Sequence, residues 1–350
     1  MKLRPHLMLF LAWASVYSLA NSADFYVDVS LGDDGAIGSK MYPFATIERA
    51  MREVDGPGGT IHLQAGMTYR EEVVIRKGGT EVTPLVIEGN GAVINLGRDV
   101  TSGPWEVVGD AYRLNLEIPE FSRHYVTSPL FVNGLPVWAE HPEGRGKPAW
   151  HGGSLKYNEL GQMIVRFPEG LTPENARVVI TGPDRSPAVH ASGGQYVIIR
   201  NLTTAFAGND GFNFHNRCTN FKLEGVRALF NGDQGISSHG QCEVHVYQSE
   251  VAFNGSQSAG VVDINDAVTK YTNVLCHHNR GSGFLLRGKA HKLESVVAFG
   301  HIAADLPRSS ESIDIVDSFS GEVRLPAQFL DGDCASTLAQ RSERFESLLP

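Results

Sequence analysis

Two histidines stand 24 residues apart in matching settings. The stretches "GFNFHNRC" (211–218) and "GISSHGQC" (235–242) carry Gly, His and Cys at the same places. An imidazole titrates near neutrality, so it can take or give a proton at physiological pH. If the interval superposes His215 and His239, the two rings sit side by side. Two adjacent cations repel, so at least one ring should stay neutral to lower pH than a free imidazole and remain available as a base. The following stretches, "GVVDIND" and "GFLLRGK", add Asp263, Asn265, Arg287 and Lys289. Asp210 and Asp233 lie on the turns ahead of the histidines, and Asn213 lies between them. His215, His239 and Asp263 also offer two nitrogens and an oxygen, a donor set that suits Zn²⁺ or a similar ion, at a spacing that permits such a site without specifying it.

Something must bring these residues together, and the sequence repeats. "TTAFAGNDGFNFHN", "RALFNGDQGISSHG", "EVAFNGSQSAGVVDIND", "LCHHNRGSGFLLRGK" and "VVAFGHIAADLP" share one frame: an aromatic, a small residue or Asn, a Gly-rich turn and a short alternating run. Phe206, Phe230, Phe253, His278 and Phe299 form one column, and Asn231, Asn254 and Asn279 the next. Runs such as "YVIIRNL", "NFKLEGV" and "CEVHVYQ" alternate at period two, the mark of strands. A period of about 20–25 residues built from short strands and turns predicts an all-β parallel solenoid whose coils stack at about 4.8 Å. The leucine and asparagine frame of leucine-rich repeats is missing.

Alternation then sets which way the side chains point. Phe212, Phe214, Ile236 and Ser238 are expected inside, as are Val262, Ile264, Phe284 and Leu286. The outer column reads His215, His239, Asn265, Arg287, and its neighbour Asn213, Ser237, Asp263, Leu285. Cys218 and Cys242 fall one coil apart. They either bridge, since neighbouring coils lie within disulfide reach, or fill the core as free thiols.

These repeats resemble the single-stranded right-handed parallel β-helix proteins of the pectate-lyase-like superfamily. The mature start, "FYVDVSLGDDGAIGSKMYPFATIERAM", is similar to the strand, loop and short capping helix at the entry to such a helix, with Ile47, Ala50, Met51 and Val54 on one face. The organisation expected is a leader (1–23), an N-terminal strand and cap (24–57), first coils (58–98), an inserted small β unit (99–182), main coils (183–320) and a tail with a helix (321–350). The insert's "LFVNG…P" phrase resembles inserts of β-helix glycosidases. The resemblance implies a polysaccharide held in a groove along the strand stack. A lyase would use His215 or His239 as base, with Arg287 or Lys289, or a Ca²⁺ held by Asp residues, to neutralise a uronate carboxylate. A hydrolase needs two carboxylates. "GNDGFNF", "NGDQG" and "LRGK" resemble motifs of polygalacturonase-like glycosidases, which would make Asp210 and Asp233 the carboxylates and Arg287 and Lys289 the uronate binders. Gln234 replaces a second Asp of that pattern, and its Gly-His-Gly motif is absent. Asp210, Asp233, Asn213, Asn265 and Lys289 are thus expected to bind substrate around His215, His239, Asp263 and Arg287. The alternative is a non-catalytic glycan-binding or structural β-helix module, although few aromatic residues fall at outward positions.

A formal charge of −9 argues against nucleic acid as a partner. Lys2 and Arg4 precede the apolar run "LMLFLAWASVYSLA" and then small residues, the pattern of a secretory leader. A secreted or periplasmic monomer without a membrane span is expected. Expressed with this leader, the exported chain should begin near residues 21 to 24. N-terminal sequencing checks this, and Met1 on exported protein would refute it.

Overall fold

The computed structural model describes residues 23–54, 58–116, 130–137, 152–159, 162–183, 185–321 and 338–349. The leader, Cys334 and parts of the insert and tail lie outside the described residues.

The main body is a parallel β-solenoid. Val197, Ile198 and Ile199 pair in parallel with Leu85, Val86 and Ile87 on one side and with Phe221, Lys222 and Leu223 on the other. The same ladder continues through Val244–Val246, Thr269–Tyr271, His291–Leu293 and Ile313–Ile315. Two further parallel stacks complete each coil. One runs through Phe212, Ile236, Val261 and Phe284, the other through Arg227, Glu250, Leu275 and Val297. Inward positions carry mainly Val, Ile, Leu and Phe, in one buried cluster that runs from Val27 to Ile313. The stack begins earlier than expected, because Ala23–Val27 pairs in parallel with Gly59–Leu63. Helix α1 (Ile47–Glu53) buries Ile47 and Ala50 against the stack. Its first amides are satisfied by Thr46 Oγ1 and by the Glu71 carboxylate.

The insert forms two antiparallel four-stranded sheets with a core of their own, including Leu114, Val132, Leu155 and Val165. It touches the solenoid through Phe131, edge-on to Phe206 and Phe230 at 5.9 and 5.8 Å between ring centres.

One corner of five successive coils is turned by a residue in the left-handed region. Phe206, Phe230, Phe253, His278 and Gly300 have φ of 53°, 54°, 60°, 49° and 69°. A bulky L-residue there costs about 1–2 kcal/mol. Two neighbouring ladders offset that cost. The rings stack, with centroids 5.7, 4.9 and 5.6 Å apart down Phe206, Phe230, Phe253 and His278. The next residue hydrogen-bonds up the stack: Ala207 N donates to Asn231 Oδ1, Asn231 N to Asn254 Oδ1, Asn254 N to Asn279 Oδ1, and Asn279 N to His301 Nδ1. Phe299 is therefore misplaced in the sequence column. It pairs with His277 and stacks on that ring at 5.2 Å, and Gly300 takes the corner.

Helix α2 (Leu338–Ser347) lies along the side of the solenoid rather than over its end. Phe345 is fully buried, edge-on to Phe206 and Phe230, and Arg344 pairs with Glu250. Asn95 Nδ2 donates to Leu348 O at 2.6 Å.

Asn254→Ala removes the acceptor for Asn231 N and the donor to Ala228 O. It should cost about 2–4 kcal/mol in denaturant unfolding, whereas exposed Lys222→Ala should stay within about 0.5 kcal/mol. Equal midpoints for the two variants would refute the ladder's role.

Candidate functional site

His215 and His239 stack as their spacing implies. Their ring centres are 4.5 Å apart with planes inclined by 12°. The backbone fixes this, since His239 N donates to Phe214 O in the parallel ladder and inward Phe214 and Ser238 turn both imidazoles outward. A third ring joins them: His190 lies 6.2 Å from His215. His190 is in register with Asn213, so it belongs to the neighbouring outer column and leans across. Partial burial lowers the pKa of all three. His215 is lowered further by His190, while His239 is pushed down to about 4, chiefly by burial and then by His215. All three are neutral at pH 7.

Asp263 is not part of this face. Val261 pairs with Ile236 and Phe284, which puts Asp263 in the inward row with Ser238 and Leu286. The outer column therefore reads His215, His239, Ile264, Arg287, and its neighbour Asn213, Ser237, Val262, Leu285. The stretch Val261–Val262 is apolar at both positions, so alternation alone admits either register, and placing the carboxylate outside chose the wrong one. Asp263 is wholly buried. Its Oδ2 accepts from Thr269 Oγ1 at 2.8 Å and Tyr271 Oη at 2.7 Å. Thr269 Oγ1 also meets His291 Nδ1 at 2.8 Å. Ser238 stands in register with Asp263 on the neighbouring coil. Burial raises the Asp263 carboxyl to about 6 against the pull of Tyr271, Thr269 and Ser238. Its inward position removes it from a zinc or calcium site on the outer face. Among the described residues, no three His, Cys, Asp or Glu side chains converge as metal ligands.

Asn265 is exposed but sits on the corner after the strand at φ 64°, where its Oδ1 accepts from Gly240 N. Arg287 and Lys289 are exposed, one ending the strand Ser282–Arg287 and the other on the turn beyond.

Asp210 and Asp233 form a second cluster, on the turns that lead into the same strands. Asp210 is 1% exposed. It accepts from Ser237 Oγ at 2.6 Å, Gln234 N at 2.9 Å and Asn213 Nδ2. Burial raises its carboxyl to about 6 despite these donors. Asp233 is partly exposed and is raised to about 7 by burial and by Asp210's charge. Gln234, which aligns with Asp210 on the next coil, gives its amide to Ser256 Oγ at 2.8 Å. Arg280 also reaches this cluster. Its guanidinium donates to Gly255 O at 3.2 Å and favours Asp233's charge, while burial lowers its own pKa to about 9. Sequence reasoning passed over Arg280 and His190. Arg280 was legible as the one arginine in the column Gly232, Gly255, Arg280. The alternation in "AVHAS" marks His190 as outward but does not bring it to His215, since it is in register with Asn213.

No family model matches the chain, and no curated protein matches it by sequence. Solved structures do match. A glycoside hydrolase aligns with 85% of this chain and 85% of its own at TM-score 0.52 and 11% identity. Pectate lyase Pel9A aligns with 81% of this chain and 55% of its own at TM-score 0.50 and 13% identity. The chain thus spans about half the length of that lyase. The chain shares the parallel β-helix fold with these two structures. XylC in complex with xylose also aligns, at TM-score 0.48 and 14% identity over 85% of this chain and 67% of its own. Among the described residues of this β-helix, no helix is long and apolar enough to cross a membrane.

The interior carboxyl has a measurable consequence. Its folded pKa lies above the unfolded value of 3.8, so the fold loses stability from Asp263 as pH rises from about 4 to about 6. The loss amounts to about 3 kcal/mol. Asp263→Asn should remove that slope and stabilise the protein at pH 7. An unchanged slope between pH 4 and 6 would sink this account.

Proposed function

We propose that this protein is an exported enzyme that cleaves an extended, uronate-containing polysaccharide by β-elimination along the outer face of the histidine strands. The observation that carries the reading is the stacked His215–His239 pair: two outward, half-buried imidazoles, both neutral at pH 7, in one outer column with exposed Arg287. Elimination needs a base for the proton α to a uronate carboxylate, and positive charge to stabilise the enolate that forms. His239 is the base in this reading. His215 positions it and opposes its protonation, and Arg287 and Lys289 meet the substrate carboxylates. Coil spacing places Arg287 two steps, about 10 Å, along the stack from His239, so one extended chain can contact both. Asn213 and Ser237 lie on the same face. They are nearly inaccessible and tied to Asp210, so they support the wall rather than grip the sugar.

Hydrolysis is the second reading, favoured by one observation. Asp233, raised to about 7 beside Asp210 and partly exposed, holds a proton near neutrality, as a general acid must. Asp210 is too buried to touch substrate and would act on Asp233 through its charge.

The two readings separate in one assay on polygalacturonate and related polyuronates. Elimination gives an unsaturated product seen by ultraviolet absorbance, and hydrolysis gives reducing ends without it. Absorbance should appear and persist as pH falls towards about 4, where His239 takes up its proton. His239→Ala should lower the rate by about 10²–10⁴-fold, while exposed Lys156→Ala leaves it unchanged. Reducing ends alone, lost above about pH 7 and in Asp233→Asn, would replace elimination with hydrolysis. Binding without either product would leave a glycan-binding module.

A further inference from the structure

The corner just past each histidine is lined inside by small residues. Gly194 pairs with Cys218, and the column continues through Cys242 to Ala267, whose neighbour Val268 donates its amide to Cys242 O. Gln241 N donates to Asn216 O, and Arg217 is hydrogen-bonded to Gln241 side chain to side chain. These contacts put Cys218 and Cys242 directly in register on adjacent coils. Both are fully inside the core and both thiols are free in this structure. Each thiol hydrogen-bonds the carbonyl of the histidine three residues before it: Cys218 Sγ to His215 O at 3.3 Å and Cys242 Sγ to His239 O at 3.0 Å. Two stacked coils thus carry the imidazoles outside and a facing pair of thiols directly behind them.

We propose that Cys218 and Cys242 form a disulfide when the chain folds in an oxidising compartment, stapling together the two coils that present the stacked histidines. Coil spacing lies within the Cα separation that a disulfide spans, and like residues in register point their Cβ atoms the same way. Gly194 and Ala267 on either side leave each sulfur no other cysteine in its column. The reaction consumes a low-molecular-weight or protein disulfide. The thiolate of one cysteine attacks it, forms a mixed disulfide and releases one thiol. The other cysteine, after losing its proton, attacks that cysteine's sulfur and releases the second thiol. Since neither sulfur reaches solvent in the closed coil, bridging belongs to folding, before these coils close.

The test uses the full chain and needs no activity. Denatured, reduced protein is refolded in a glutathione/glutathione-disulfide buffer, unfolded in an alkylating reagent and digested without reductant. A peptide pair joined through Cys218 and Cys242 is expected. The bridged protein should melt several degrees above the same protein refolded with dithiothreitol, and Cys218→Ala/Cys242→Ala should melt alike in both buffers. Recovery of Cys218 and Cys242 singly alkylated, or paired with other cysteines, would overturn the proposal whether or not the variant folds.

Discussion

The solenoid depends on a corner that most side chains resist. Each main coil turns at a residue with positive φ, and four of these residues in succession are aromatic rings rather than glycine. A lone phenylalanine in that conformation is strained. In a stack its ring gains a neighbour above and below, and the asparagine beside it ties one coil's amide to the next coil's side chain. Neither ladder exists in an isolated coil. The corner is therefore stable only as a cooperative column, which explains why the aromatic and asparagine positions recur while the rest of the repeat drifts.

The site inherits its order from that column. The turns after the corner carry Asp210, Asp233 and Arg280, and the strands after those turns carry the imidazoles. Gly232 and Gly255 precede Arg280 in its column, and the Arg280 guanidinium donates to Gly255 O and favours Asp233's charge. On the opposite side of the same corner, Phe345 and Phe131 press on the rings from helix α2 and from the insert. Three parts of the chain far apart in sequence thus share one ladder as their common support.

Much of this was legible in the residues. The aromatic, asparagine and glycine columns set the period, and the period correctly superposed His215 on His239 and Cys218 on Cys242. The failures have separate causes. Residues 261–264 read Val-Val-Asp-Ile, where two adjacent apolar residues leave the face undecided, and the rule that carboxylates face water gave the wrong answer for Asp263. A buried carboxyl answered by Tyr271 and Thr269 is invisible to a pattern that looks one strand at a time, since those partners lie on the following strand of the same coil. Phe299 reads as the corner because it is aromatic, although the backbone places Gly300 there. His190 sits two residues off the His215 position and joins the ladder only by leaning, which no register rule predicts.

The asparagine ladder ends on His301. Its Nδ1 receives the last amide, from Asn279, and its Nε2 lies 3.2 Å from Cys276 O, so the ring turns back into the coil it has just capped. The side-chain ladder thus stops while the backbone stack goes on, for Ile313–Val316 and Phe319–Ser320 still pair in parallel with the coil before them. An imidazole with both nitrogens engaged passes no amide onward, so the last described coil is joined without the asparagine tie that binds the earlier ones.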